Sequence, residues 1–377
     1  MQAAAAAMEQ LGLTKLIMVP AWQSPGKTGR PEGASARQRL EMLRIAASAD
    51  SRIRVSDLEL RREDSYTYTT LCALAEQDPQ AEYVLLMGSD MLASFPAWKN
   101  ADKIARKAGI AVFSRGDKGE KQTIAAGLKT LKALGARAQV VESTPVQISS
   151  TQLRRLLAFQ SGEDFLPAGV SEYIRGHGLY DTAACWKQLP MEQLEPIVIR
   201  LLDAKRVSHV LGCRDTAVKL AERWGADRTD AARAGILHDI TKALDGPLQL
   251  TLCASYGKIL DDFSSRYPKT LHALTGSLVA ERIFGENPAV VSAICSHTTG
   301  KADMDLLEKI IYVADYMEPN RDFPGVEKLR ELAFTDINAA LKLGLEMTLD
   351  HLKEQGSEVS PESRSALLWL NQTERDG

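Results

Sequence analysis

Cysteine, basic charge and long apolar runs are all scarce in this chain, and each scarcity removes a class of function. The five cysteines, Cys72, Cys185, Cys213, Cys253 and Cys295, are odd in number and no two form a C-x-x-C pair. That argues against a disulfide framework or a thiolate zinc site and reads as reduced core thiols in a cytosol. With 46 Lys and Arg against 49 Asp and Glu, the formal net charge is −3, so no basic field draws a polyanion and nucleic acid is not an expected partner. No segment approaches a membrane-spanning run, and the opening "MQAAAAAMEQLGL" lacks the basic flank and sustained apolar core of a signal peptide. The expectation is a cytoplasmic protein without a membrane partner; the sequence leaves association into a homo-oligomer open.

What is present falls into two parts, as 377 residues suggest. Residues 1–182 alternate helical and strand-like segments. A helix runs to Leu11, followed by "KLIMVP", a helix over "ASARQRLEMLRIAA", "IRVSDLEL", a helix over "TTLCALAEQ", then "YVLLMG", "IAVFS" and "AQVVES" between further helices. Alternation of this kind predicts an α/β doubly wound domain around a parallel sheet. Its Ala-rich beginning is a helix with no strand before it. Around "DTAACWKQLPMEQLEP" the pattern changes: residues 183–194 read as a linker, 195–355 as an all-α helical bundle, and 356–377 as a connector, a short helix packed through Leu367, Leu368 and Leu370, and a tail.

Five of the six histidines lie in the second part. His209 in "RVSHVLG", His238 and Asp239 in "ILHDITK", His272 in "TLHALTG", His297 in "ICSHTTG" and Asp315 in "IYVADYM" each interrupt an apolar helical stretch. Isolated ionisable groups in apolar surroundings are unfavourable unless paired or coordinated, so several at once imply convergence on one polar point. Imidazoles and carboxylates on facing helices of a bundle suit a divalent transition metal. Adjacent helical residues point about 100° apart, so His238 and Asp239 either share a metal at the edge of a face or serve two metals.

The ordered set H…HD…H…H…D resembles the HD superfamily of metal-dependent phosphohydrolases. Within it, "HALTGSLVAERIFG" and "SHTTGKADMDLLEKIIYVADYMEPNRDFPGV" resemble the YqeK-type symmetrical diadenosine tetraphosphate hydrolases. The resemblance implies a metal shell of His209, His238, Asp239 and Asp315, a second position completed by His272 and His297, iron as the favoured occupant, and cleavage of Ap4A into two ADP. Asp239 and Lys242 are then the catalytic candidates. Lys242, one turn from Asp239, reaches a phosphate or is a solvated helix-end lysine. Thr298, Thr299 and Gly300, with Lys301, contact phosphate oxygens or form an ordinary helix C-terminus. Arg321 forks a phosphate or belongs to a turn that restarts a helix. His351 lies outside the pattern and reads as structural. Two other readings stand beside this one: an HD phosphohydrolase of other nucleotides (a monophosphatase or triphosphohydrolase), or a noncatalytic nucleotide-sensing protein.

In the first part, Gly88, Ser89 and Asp90 follow the strand "YVLLMG", where open parallel sheets bind ligands, or form a plain turn. Ser149, Ser150 and Thr151 begin a helix with Arg154 one turn on, an arrangement suited to a triphosphate or simply to a cap. Together with Ser65, Tyr66 and Thr67 of "SYTYTTL", Trp98, Arg115 and "VSEYIRGHGLY", they resemble the nicotinate mononucleotide adenylyltransferases, Rossmann-like enzymes of NAD biosynthesis. The resemblance implies that the SYT stretch and the tryptophan hold nicotinate mononucleotide, that ISSTxxR grips ATP phosphates, and that transfer uses magnesium. The family's first strand and its H-x-G-H motif have no counterpart: no histidine precedes His177, and "SPGK" stands where the family has a histidine-bearing loop. The expectation is a domain with its first strand missing, through a truncated start, and with impaired adenylyl transfer.

Overall fold

The computed structural model describes residues 2–23, 33–63, 65–114, 119–144, 146 and 148–376. Arg115 and the SPGK loop, Ser24–Lys27, lie outside the described residues. The chain separates into two compact units, one of Met1–Leu153 with Glu163–Ala183, the other of Arg154–Gly162 with Ala184–Gly377.

The first unit begins with α1 (Gln2–Gln10), β1 (Leu16–Met18), α2 (Ala36–Ala47), β2 (Ile53–Val55), α3 (Leu58–Arg62) and α4 (Thr67–Gln77). It continues through β3 (Val84–Gly88), α5 (Ala101–Lys107), β4 (Gly109–Phe113), α6 (Glu120–Ala133), β5 (Ala138–Val141) and the start of α7 (Ser150–Ala158), with α8 (Val170–Gly176) added from further along the chain. The run "IRVSDLEL" is strand only over its first three residues; Leu58–Arg62 is helical, as its leucines, glutamate and arginines favour.

All strands are parallel, but they form two sheets: β1 pairs with β2, and β3–β4–β5 make a second sheet with β4 central. The central strand is apolar on both faces, with Ile110, Ala111 and Val112 buried, as a strand covered on both sides must be. One helix spans both sheets. Met8 of α1 packs with Leu16 and Ile53 of the first, and Ala7 with Ala111 and Val141 of the second. The facing edges of β1 and β3 have no strand partner among the described residues and border a groove of about 890 Å³ lined by Leu16, Ile17, Leu74, Val84, Leu85 and Leu86.

The second unit is helical: α9 (Met191–Leu201), α10 (Ala204–Trp224), α11 (Arg228–Leu237), α12 (Gly246–Ser255), α13 (Asp262–Arg266), α14 (Leu271–Val279), α15 (Pro288–Ser296), α16 (Leu306–Met317), α17 (Val326–Thr335), α18 (Ile337–Glu354) and α19 (Pro361–Asp376). Residues read as a linker belong to this unit from Ala184 onward. Trp186 is buried and stacks on Phe284, and Gln188 N donates to Phe284 O. The last helix packs through Ser363, Ala366 and Leu370, a stripe at helical spacing, whereas Leu368, expected inside, is 63% exposed. Of the cysteines expected in the core, Cys213 and Cys253 are buried while Cys185 and Cys295 are exposed. Among the described residues no helix is long and apolar enough to cross a membrane.

Candidate metal centre

Three helices and two helix ends deliver the polar cluster. His209 sits in the second turn of α10. His238 and Asp239 follow α11, which Asp227 starts by accepting from Asp230 N at 2.9 Å. A regular helix would splay these neighbours, but α11 stops at Leu237 and the chain passes into successive turns, with Ile240 N donating to Leu237 O and Lys242 N to Asp239 O. The sequence reading had the pair inside a helix; its place at the helix end is what lets both side chains face one centre. Gly235 lets α11 approach α10 closely, since a Cβ there would lie 2.7 Å from Arg214 Cα. Any side chain at 235 would push His238 away from His209.

His272 lies at the start of α14, His297 caps α15, and Asp315 is near the end of α16. The four imidazoles are buried and present Nε2 inward. His209 Nε2 lies 3.3 Å from His238 Nε2 and 3.1 Å from Asp315 Oδ1. Asp239, 1% exposed, joins the two sides. Its Oδ2 faces His209 and His238 at 3.7 and 3.6 Å, and its Oδ1 faces His272 and His297 at 3.5 and 3.8 Å. Three triads can hold a cation: His209, His238 and Asp239; His238, His297 and Asp315; and Asp239, His272 and His297. Six nitrogen and oxygen donors without thiolate suit a divalent transition metal.

Electrostatics favour ligand-ready forms. Burial holds the imidazoles of His238 and His272 well below the usual histidine range and that of His297 at about 4, so all three are neutral near pH 7. Burial pushes the Asp315 carboxyl upward, yet the hydrogen bond from His209 and the charge of Arg321 keep it well below the usual carboxylate range. Although Lys242 as a residue is exposed, its Nζ rests 2.9 Å from His272 Nε2, and that desolvation lowers its pKa to about 8.

Cations ring the cluster. Arg321 Nη2 is 2.6 Å from Asp315 Oδ1, and Arg206 Nη2 contacts Asp239 Oδ2. The Nε of Arg206 is buried without a hydrogen-bond partner among the described residues. Thr298 Oγ1 joins the cluster, 3.0 Å from His272 Nε2 and 3.1 Å from His297 Nε2. Thr299 instead donates to Gly300 O, Gly300 turns the chain at φ 65°, and Lys301 pairs with the buried Glu308 at 2.6 Å. His351 stays outside, on α18, beside Gln355.

In the first unit, Gly88 ends β3, Ser89 and Asp90 follow it, and Ser89 donates to Glu120. Ser65 Oγ accepts from Gln23 N, and Thr67 opens α4. Tyr66 carries Lys99 Nζ 4.0 Å from its ring centroid, next in sequence to the half-buried Trp98. Ser149 and Gln152 form a reciprocal cap at α7, 3.0 and 3.1 Å, with Ser150 and Thr151 in its first turn; Arg154, half-buried, is counted with the second unit.

Comparison with known proteins identifies both parts. A cytidylyltransferase-like family model matches residues 1–156 and an HD domain model residues 206–320. The symmetrical bis(5'-nucleosyl)-tetraphosphatase of Bacillus subtilis is 37% identical over 180 residues, 48% of this chain and 96% of that protein. A probable nicotinate-nucleotide adenylyltransferase of Neisseria meningitidis is 36% identical over 179 residues, 46% of this chain and 87% of its own. The chain belongs to both families, one in each half. The same pairing occurs in a probable nicotinate-nucleotide adenylyltransferase/Ap4A hydrolase of Mycoplasma pneumoniae, 28% identical over 92% of this chain and 93% of that one.

Within the tetraphosphatase-like half, sequence reasoning missed Arg206, Glu318 and the buried Thr241–Thr275–Gln249 network. Thr241 Oγ1 donates to His272 O at 3.0 Å, and Gln249 Nε2 donates to Thr241 O at 2.8 Å. Charged residues at helix ends look like solvated faces. The one available signal for Arg206 was its place three residues before His209, one turn away on the same face.

Proposed function

We propose that the second unit hydrolyses diadenosine tetraphosphate to two molecules of ADP at a two-metal centre. The first unit, in this reading, binds the nucleotides of nicotinate mononucleotide adenylyl transfer. The observation that carries the hydrolase reading is Asp239: its two carboxylate oxygens face different imidazole pairs, one with Asp315 close by and one with Lys242 and Thr298 close by. His209, His238, Asp239 and Asp315 form one position, and Asp239 with His272 and His297 the other. Iron is the favoured occupant by the resemblance to the HD hydrolases, and the imidazole and carboxylate donors are compatible with it. Bound there, metal supplies a Lewis acid and a means of deprotonating water near neutral pH.

The protein's own groups do the rest. Arg206 and Arg321 receive phosphate oxygens, the first through its unpartnered Nε, and Thr298 supplies a hydroxyl. Thr299 and Gly300 shape the turn that carries it. Lys242 neutralises charge on the departing ADP as the water oxygen–phosphorus bond forms and the central phosphorus–oxygen bond breaks. The relatives' names agree, one a symmetrical bis(5'-nucleosyl)-tetraphosphatase and one a fused adenylyltransferase/Ap4A hydrolase.

For the first unit, the proposed contacts are Ser65, Tyr66, Thr67 and Trp98 with the nicotinate nucleotide, and Gly88, Asp90, Ser149, Ser150, Thr151, Arg154 and Arg115 with ATP and its magnesium.

Product analysis of metal-loaded protein tests the reading. ADP as sole product, two per Ap4A, supports it. Inorganic phosphate released from mononucleotides with Ap4A untouched favours a phosphohydrolase of other nucleotides. Binding without turnover after iron, manganese or cobalt is restored favours a sensor.

A further inference from the structure

The four imidazoles of the cluster are not held alike. In His238, His272 and His297, Nδ1 donates to the backbone carbonyl three residues earlier, Gly235 at 2.8 Å, Lys269 at 2.9 Å and Ile294 at 2.6 Å. Each ring is therefore aimed by its own local backbone. In His209, Nδ1 lies instead 3.1 Å from a carboxylate oxygen, Glu318 Oε1, from the turn that follows α16. A carboxylate oxygen accepts, so when Nε2 is given to a metal ion the ring's remaining proton is the one on Nδ1 that faces Glu318.

Glu318 is itself tightly held. It is 1% exposed, and its Oε2 accepts from Asn320 N and from Asn320 Nδ2, both at 2.7 Å. Asn320 Nδ2 in turn donates to Ser208 O, beside His209, at 3.1 Å. Arg330 of α17 pins the turn from behind, donating to Met317 O, Glu318 O and Arg321 O. Room for the carboxylate exists because residue 212, one turn beyond His209, is glycine; a Cβ there would collide with Glu318 Oε2.

We infer that Glu318 is a positioning residue that makes the metal position lined by His209 stronger than the one lined by His272 and His297. The inference rests on reading the cluster as a metal site. A carboxylate on the far ring nitrogen fixes the tautomer and raises the basicity of the ligating nitrogen, and loss of such a partner weakens metal binding by about 10–100-fold. The three backbone-oriented rings gain the orientation without the charge, so the two positions are unequal by construction.

Cobalt(II) titration of metal-free full-length protein, read by calorimetry and the cobalt absorption spectrum, tests this in wild type, Glu318→Gln and Gly212→Ala. Glu318→Gln keeps the shape and removes the charge; Gly212→Ala keeps the charge and displaces it. Both variants should lose about 10–100-fold in affinity at one position and leave the other unchanged. If Glu318→Gln does not fold, Gly212→Ala alone carries the prediction. Equal affinities in variants and wild type, or equal weakening at both positions, overturns the role of Glu318. A wild type that takes up no cobalt overturns the metal reading itself.

Discussion

The two units differ in where their polar groups sit. In the second, six ionisable side chains are driven inward by apolar helices and meet within a few ångströms, with the imidazoles of His238, His272 and His297 neutral and Asp315 ionised. In the first, most of the described candidate nucleotide contacts lie on turns and helix starts and are exposed or half-buried, Gly88 at the end of β3 being buried, and the parallel strands are divided between two sheets. A site built from buried groups is specified by burial itself; a site built from caps and turns looks like ordinary chain punctuation until a nucleotide is bound.

The largest effect that separates the two is expected from Asp315→Asn. Removing this proposed ligand carboxylate should lower Ap4A hydrolysis by about 10³-fold, while ATP binding to the first unit, followed by calorimetry, stays unchanged. Loss of both together would dissolve the distinction. Leu131→Ala approaches it from the other side. It empties a fully buried position beside Phe95 and Ile110 and should destabilise the first unit by about 2–5 kcal/mol, seen as an earlier melting step with hydrolysis retained.

Gly235→Ala is expected to lower stability by about 1–3 kcal/mol through overpacking against Arg214 and to weaken metal uptake, because it parts α10 from α11. Calorimetry and metal analysis on the same sample check both. An alanine variant with wild-type metal content would show that the helix approach is not needed.

The smallest effect is in pH. Burial lowers the folded-state pKa of His238, His272 and His297, the last to about 4, against about 6.5 unfolded. Between those values the unfolded chain binds more protons, so stability is fully present above about pH 6.5 and declines as pH falls toward 4. Urea unfolding of metal-free protein across this range should show the decline in the second unit; a flat profile would mean the rings are not buried neutral.

How much was legible in the sequence follows the same division. His209, His238, Asp239, His272, His297 and Asp315 stood out because an ionisable group in an apolar helix has few reasons to be there. Arg206 and Glu318 did not, since a charge near a helix end is more often solvated, and only the folded chain reveals that Glu318 is buried against His209. The α/β and all-α halves were readable from periodicity. The end of α11 at Leu237 was not, because "GILHDITKAL" keeps an apolar pattern through the turns. In the first unit the strands were legible from β-branched runs, whereas their division into two sheets depends on pairing between distant segments, which periodicity does not encode.

The central proposal is that the cluster would hold two metals, with Asp239 among the residues holding each. Counting bound metal per chain by elemental analysis, in wild type and Asp239→Ala after loading under identical conditions, tests it most directly. The account predicts two per chain in wild type and loss from both positions in the variant. A wild-type value of one, or a variant that keeps one metal at full affinity, would contradict it.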